Sequence, residues 1–562
     1  MLAIMPFVAP QTVGGGFDSV FQWHSQAPGD LFAHAVADAG DVNGDGFHDI
    51  LISEPSAEYQ GMADAGVVYV YSGKDGSLLH LLGGNDDGVA FGSSVAGVGD
   101  LNGDGYADIV VGALRSNWGA ILGAGSVCAY SGIDATLLHE WHGSSAYEDF
   151  GNSVSAAGDL NGDGYADLIV GARSADPGGL KNAGSAFVYS GLTGATLYKW
   201  AGETANDGFG WAVASAGDVT GDDVPDLIVS APFANPSNRN LAGSIYLYSG
   251  SDGTLLQRLD GPSKYDRIGH SISTAGDLNG DGYHDIIFGV PTDHSLPGAV
   301  FEAGSAFAYS YHDQAIIFEW NAENAFDDFG HAVAAAGDVD GDGQADVAIS
   351  ALYADPNGLT DAGSVYLYSG ADGHLIRQKN GGTPYQQIGH SISGVADINQ
   401  NGYADVVVAA SGYTFHNSDY RGAGLAFVFG FYPFLAASTD AISATTGDVL
   451  NLTLNFPPAA HNYEYKILIS AAGVGSTTYG IEIPLTLDSL VVETFNGIYP
   501  VPVYFGMHGN LDADANATGS MTIPPGIPSS LIGNFYYLAA IANQPGLLPE
   551  FSSIAIAVEI IP

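Results

Sequence analysis

Seven nine-residue segments, each opening and closing on aspartate, recur along a chain of 562 residues. The first places Asp41, Asn43, Asp45, Phe47 and Asp49 at positions 1, 3, 5, 7 and 9; the second and third place Asp100, Asn102, Asp104, Tyr106, Asp108 and Asp159, Asn161, Asp163, Tyr165, Asp167 there. The fourth has Asp218, Thr220, Asp222, Val224 and Asp226, and the fifth Asp277, Asn279, Asp281, Tyr283 and Asp285. The sixth has Asp338, Asp340, Asp342, Gln344 and Asp346, and the seventh Asp397, Asn399, Asn401, Tyr403 and Asp405. Carboxylate or amide oxygens at 1, 3, 5 and 9, with a backbone carbonyl at 7, supply the six to eight hard oxygen ligands that Ca²⁺ prefers. Glycine at position 6 in six of the seven permits the sharp turn. An EF-hand shares the opening D-x-N-x-D-G but needs Glu at position 12, where this chain has Ile52, Val111, Val170, Val229, Phe288, Ile349 and Val408. Hydrogen-bonded Asx turns without metal are the alternative, but several carboxylates converging in one hairpin repel each other unless a cation neutralises them.

The loops are not equivalent. The fourth has Thr220 at position 3 and Asp223 in place of glycine, and the seventh keeps only Asp397 and Asp405 as charges, so both are expected to bind more weakly. The sixth carries four carboxylates and is expected to bind most tightly. Twenty-one loop carboxylates are a third of the 62 acidic residues, and seven Ca²⁺ would bring the net charge only from −49 to −35. The rest of the acidity suits a solvated surface in a saline medium.

Each loop needs two strands to hold it. The anchoring aspartates are spaced 59, 59, 59, 59, 61 and 59 residues apart, and the same elements surround each. Nine residues upstream stands Phe32, Phe91, Phe150, Phe209, Ile268, Phe329 or Ile388; directly downstream runs an apolar stretch such as DIVVGA, short and β-branched enough for a strand buried on both faces. A loop, an alternating strand of the type GSVYLYSG, a tight turn and a fourth strand such as TLLHEW follow. The unit is a four-stranded antiparallel meander with the Asp loop between strands one and two. Trp141, Trp200 and Trp320 lie 18 residues before the next anchor, and Trp23 lies 18 before Asp41, so the chain begins with an orphan fourth strand while the seventh repeat lacks one. That pairing of a spare with a missing strand predicts a closed seven-bladed β-propeller over residues 20–430, without exposed sheet edges.

The phrase FGSSVAGVGDLNGDGYADIVVGA from Phe91 resembles the FG-GAP repeat of integrin α-subunit propellers and of many secreted bacterial proteins, and the resemblance extends over all seven repeats. It implies calcium in the hairpins between strands one and two, on the lower face, and partner binding most often on the upper face. It names no partner.

In a propeller of this topology the residue after the FG-type dipeptide lies near the upper rim of the channel. In blades one, five, six and seven it is His34, His270, His331 and His390, which form a contiguous arc in a closed ring, and Asp30, Glu148, Asp207, Asp266 and Asp327 stand four residues before this position in five repeats. Imidazoles and carboxylates sharing the rim suggest a site for a transition metal, a cationic group or a sugar; drift at a polar position, with Ser93, Asn152 and Trp211 as variants, is the alternative. The loops between strands two and three, on the same face, carry Tyr59, Trp118, Phe233, Tyr353, Tyr413, Phe415 and Tyr420, which could stack on a sugar or anchor a protein. Packing onto their own blade is the competing role.

Charge excludes other functions. With 62 acidic against 13 basic residues, no basic patch for nucleic acid or anionic membrane is expected. No apolar run reaches the ~18 residues of a membrane span, and Cys128 alone permits neither an intrachain disulfide nor a cysteine zinc site. Residues 1–19 open on MLAIMPFVAP, apolar like the core of an export signal but without a basic n-region. Residues 431–562 leave the repeat; VLNLTLNF, KILIS and AIAVEII read as strands of a β-sandwich, and HGNLDADANATGSMTIP resembles a module appended to secreted bacterial repeat proteins. The favoured function is a calcium-stabilised binding or adhesion module, extracellular or at the cell surface, for an extracellular protein or glycan. A carbohydrate-active propeller, lectin or lyase, and an architectural part of an extracellular assembly are the alternatives.

Overall fold

The computed structural model describes residues 19–25, 30–292, 303–322, 324–400, 402–412 and 424–429, and the backbone of strands between 435 and 561. Apart from three single-turn 3₁₀ segments the described residues are all-β. Seven four-stranded antiparallel sheets make up the first unit, Ser19–Gly430. Blade one consists of Val36–Gly40, Asp49–Glu54, Val67–Tyr71 and Leu78–Gly83. The second strand of every blade is buried at all six positions, as its unbroken apolar run requires. First strands touch first strands around a closed cycle, blade seven returning to blade one. There Val36 N and Asp38 N donate to Ser391 Oγ and Ser393 Oγ at 3.2 and 3.4 Å.

Closure follows the expected device. Ser19–His24 pairs antiparallel with Leu425–Phe429, Trp23 opposite Ala426, as the outer strand of blade seven. Trp23 is fully buried, stacks on Tyr71 with ring centroids 4.9 Å apart, and donates its indole N–H to Gly76 O in the hairpin of blade one. Trp141, Trp200 and Trp320 make the same bond to Gly194, Gly253 and Gly373 O of the following blade. Each donor stands 53 residues before its acceptor, so Trp23 joins blades seven and one as the others join neighbours. The core is accordingly divided into seven apolar clusters, one between each pair of blades.

Strands one and two diverge at the Asp loop through a bulge. In blade one Asp38 faces Ile50 but Gly40 faces Asp49, and Gly40 has φ +70°, a conformation glycine adopts without Cβ strain. In the second unit, Phe431–Pro562, Asp448–Asn455 pairs with Asn516–Ile523, and Glu464–Ser470 with Phe535–Asn543, in two separate sheets.

Candidate functional site

All seven Asp segments form the hairpin between strands one and two. In blade one Asp41 Oδ1 accepts from Gly44 N and Asp45 N at 2.7 and 3.1 Å, Oδ2 accepts from Gly46 N at 2.9 Å, and Asp45 Oδ1 accepts from Phe47 N at 3.1 Å. The segment thus winds tightly around its first carboxylate. The last carboxylate, Asp49, Asp108, Asp167, Asp226, Asp285, Asp346 or Asp405, is fully buried in every blade. Its Oδ2 always accepts from the N–H of loop position 2, from Val42 at 3.0 Å to Ile398 at 3.0 Å. In five blades Oδ1 accepts from a glycine N–H of the hairpin between strands three and four: Gly73, Gly132, Gly191, Gly250 and Gly370. That second hairpin is a support the sequence analysis missed; the SG pair at its start is the signal that could have revealed it.

These donors do not offset the cost of a buried charge. Burial, reinforced by repulsion from Asp45 and Asp41, pushes Asp49 up to about 7, and burial with Asp340 beside it does the same to Asp346. Asp108, Asp167 and Asp285 rise to about 6 for the same reasons, and Asp226 shifts the same way. Asn43, Asn102, Asn161 and Asn399 turn their amide N–H toward the buried carboxylate at 2.9–3.5 Å, putting the positive end of a dipole there. Where Asp340 replaces that asparagine, carboxylate oxygens of Asp338, Asp340 and Asp346 gather within 4.8 Å of one another. In blade five Tyr311 stands in place of the supporting glycine, and the buried Asp285 Oδ1 has no hydrogen-bond partner among the described residues. Hard oxygens, excess negative charge and an orphaned buried oxygen fit a divalent hard cation. Asp281, His312 and Asp313 form a second close group, reached only because the hairpin YHDQ folds back on the loop, and His312 stacks on Tyr283 at 4.0 Å. The described part of loop seven keeps Asp397, Asn399, Tyr403 and Asp405; Asn401 lies outside the described residues. Thr220 in loop four turns its hydroxyl to Asp218 at 3.4 Å, and Asp222 accepts from Val224 N at 3.0 Å.

Position 7 has a second role. Cβ atoms placed on Gly44, Gly103, Gly221 and Gly341 would stand 2.5–2.6 Å from a ring carbon of Tyr106, Tyr165, Tyr283 and Tyr403, one blade on. The tyrosine ring therefore lies against the preceding loop and ties consecutive loops together.

The raised carboxyl values give a signed expectation. Cation binding requires the carboxylate form, so loops whose last aspartate titrates near 6–7 release protons when they bind Ca²⁺ at pH 6, and bind more weakly as pH falls through that range. Calorimetric titration with Ca²⁺ at pH 6 in two buffers of different ionisation enthalpy should give different heats, and at pH 8 nearly equal heats. Equal heats at pH 6 would contradict this assignment.

At the opposite face the four histidines do form an arc. Ring centroids are 5.2 Å apart for His270 and His331, 5.8 Å for His331 and His390, and 5.2 Å for His390 and His34. The residues of this tier bond from blade to blade: Asn152 Nδ2 donates to Trp211 O, Trp211 Nε1 to His270 O, His270 Nδ1 to His331 O, and His390 Nδ1 to His34 O at 3.1 Å. A carbonyl only accepts, so Nδ1 carries the proton and Nε2 keeps its lone pair. Burial lowers His34, His270 and His390, keeping the rings neutral. His331 instead turns Nδ1 to Asp328 at 3.1 Å. Four of the five carboxylates expected to share this rim are used otherwise. Glu148, Asp207 and Asp266 are buried and accept from the N–H of Ser144, Thr204 and Ser263 in their own loops, and Asp327 accepts from Asn324 Nδ2. A backbone N–H three or four residues away captures the first three carboxylates, and the Asn324 side chain the fourth, before they can face the channel.

Among the loop aromatics, Trp118 is 51% exposed, its indole stacked on His142 with centroids 3.5 Å apart. Tyr353 is exposed, whereas Tyr59 packs on Gly83 and Phe233 stands edge-on to Trp211 at 5.1 Å. Tyr413, Phe415 and Tyr420 lie outside the described residues. Sequence reading overlooked Tyr147, Tyr265, Phe326 and Tyr385, which occupy one position, three residues before the Phe or Ile, in the loops entering blades three, five, six and seven. All four are exposed and have φ between +58° and +70°. Blades two and four place Gly88 and Asn206 at this left-handed position, residue types that adopt it at less cost. The loops between strands two and three of blades three, four and six share a backbone course, since Asp176, Asn235 and Asp355 each precede a Pro-led turn and accept from the N–H six residues on.

The FG-GAP repeat family model matches residues 35–71, 91–127, 150–189, 209–248, 269–305, 329–368 and 389–429, one segment in each blade. Integrin alpha-V of Gallus gallus is 32% identical over 206 residues, 34% of this chain and 19% of the relative. Integrin alpha-5 of Xenopus laevis is 33% identical over 219 residues, 36% of this chain and 20% of the relative. The matched stretch therefore spans about a fifth of the length of these curated relatives.

Proposed function

The chain is an FG-GAP repeat β-propeller related to integrin α-subunits, and from that premise we propose that it is a calcium-binding module of the extracellular space or cell surface. It holds Ca²⁺ in its Asp hairpins and binds an extracellular protein or glycan through the opposite loop face. The observation that carries this is the buried closing aspartate of every hairpin, which needs a cation to bear its charge. Oxygens at loop positions 1, 3, 5 and 9 and the carbonyl at 7 would hold the ion, and its part is to neutralise and rigidify the hairpin. The hairpin face is nearly the same in each blade and offers little means of discrimination; the loop face differs in side chains from blade to blade, where specificity normally resides. Among the described residues no helix is long and apolar enough to cross a membrane.

Metal analysis after equilibration in millimolar calcium should find about seven ions per chain, with blades four and seven the weakest; fewer than two would end this reading. For the face, Tyr147→Ala with Tyr265→Ala, and separately Leu192→Asp on a hairpin of the calcium face, are compared on an array of matrix proteins and extracellular glycans. Loss of the captured ligand in the first variant alone is expected. Loss in the second alone would reverse the faces.

A further inference from the structure

The chain has nearly five acidic residues for each basic one, 62 against 13, so each cation has many carboxylates to choose from. On the loop face, six basic residues crowd onto blades two to five: Arg115, Arg173, Lys181, Arg239, Lys264 and Arg267. Arg173 pairs with Asp149 at 3.1 Å. The other five make no ion pair among the described residues, although Arg258 on a fourth strand of the same region takes two carboxylates, Glu203 and Asp260. The buried Nε atoms of Arg239 and Arg267 have no hydrogen-bond partner among the described residues, so the fold itself supplies these guanidinium groups with no acceptor there.

Flat apolar surfaces interleave with these cations. The Arg173 guanidinium lies 4.7 Å from the Trp211 ring, Trp211 meets Phe233 at 5.1 Å, and Arg267 lies 5.9 Å from Phe233, so two arginines bracket an aromatic pair. Trp118 presents a broad indole face held flat by His142, and Tyr147 and Tyr265 stand 67% and 48% exposed in backbone conformations that cost a tyrosine energy. Cations without internal partners call for external anions, and rigid exposed ring faces call for something to stack on them.

We propose that the loop face of blades two to five is a binding site for an acidic glycan, whose carboxylate or sulfate groups meet Arg239, Arg267 and their neighbours while its sugar rings stack on Trp118 and the exposed tyrosines. This rests on the reading that the loop face is the binding face. A continuous polyphosphate is disfavoured, because the surrounding net charge of −49 repels a dense polyanion; at physiological salt that repulsion is screened beyond ~8 Å, which leaves short-range contacts to sparser sugar anions effective.

The test is calorimetric titration of the full chain in calcium and physiological salt. The probes are chondroitin sulfate and galacturonate oligosaccharides, with dextran, poly-glutamate and single-stranded DNA as comparisons. Both acidic glycans are expected to bind, dextran not at all, and poly-glutamate and DNA at least about tenfold more weakly. Arg239→Gln with Arg267→Gln is expected to weaken glycan binding about tenfold or more, and Trp118→Ala, at an exposed position, severalfold, both with calcium content and melting temperature unchanged. Equal binding of poly-glutamate or DNA, binding indifferent to both variants, or no binding of either acidic glycan would each overturn the proposal. If no acidic glycan binds but a matrix protein is still lost on replacing Tyr147 and Tyr265, the glycan inference falls and the assignment of faces stands. If glycan binding is abolished by Leu192→Asp alone, both fall.

Discussion

Chelation of calcium is expected to lower the melting temperature of this protein by about 10 °C or more. At ~10 mM Ca²⁺ and dissociation constants on the order of 10⁻⁴–10⁻³ M, each occupied loop stabilises the folded state by ~1.4–2.7 kcal/mol through mass action. The five well-formed loops together reach roughly 7–14 kcal/mol if the propeller melts as one unit, which for a ~400-residue unit is roughly 8–16 °C. Joint melting is what the contacts favour. Tyr106, Tyr165, Tyr283 and Tyr403 each lean on the loop of the preceding blade, so a loop that loosens removes the support of its neighbour's ring. Without the ion, moreover, each hairpin must keep a fully buried aspartate protonated or pay to desolvate its charge. Scanning calorimetry in calcium and in chelator decides the matter, and superimposable curves would remove the stabilising role assigned to the loops. The sixth loop, with four carboxylates, should contribute most, so Asp340→Asn is expected to weaken binding there while leaving the other loops intact.

Removing residues 1–25 is expected to abolish the soluble monomer, whereas removing residues 1–15 should leave it unchanged. The first deletion strips Ser19–His24 from blade seven, opening the edge of Leu425–Phe429, and empties the position of Trp23 between blades seven and one. Loss of a fully buried tryptophan alone costs about 3–5 kcal/mol, and an unpaired strand edge templates association. Trp23→Ala isolates the packing part. It should destabilise strongly yet remain monomeric, because the ladder with Leu425–Phe429 is kept. Size-exclusion chromatography with light scattering separates the outcomes, and a monomer of unchanged stability beginning at residue 26 would show that the ring does not depend on this strand.

The two units differ in how much of them sequence alone conveys. In the propeller, the interval of 59 residues, the apolar runs of the second strands and the tryptophan 18 residues before four of the anchors were enough for blade count, strand order and the closing strand. The Asp hairpins were equally legible as turns, because all five candidate ligand positions lie within nine consecutive residues and their convergence is a local property of one turn. What the sequence could not convey depends on neighbours 24 to 356 residues away or on backbone conformation. The glycine N–H supporting the buried aspartate of five blades comes from another hairpin, and the imidazole arc exists only because seven first strands converge at the channel. Glu148, Asp207 and Asp266 looked like rim ligands by position, but left-handed loop geometry folds them back onto their own backbone. The same geometry turns Tyr147 and Tyr265 outward, where their spacing in the sequence carried no sign of exposure. Composition fixed how few cations the chain has; only the folded ring decided that five of them would stand on one face without an ion pair among the described residues, since pairing depends on which loops the blades bring side by side.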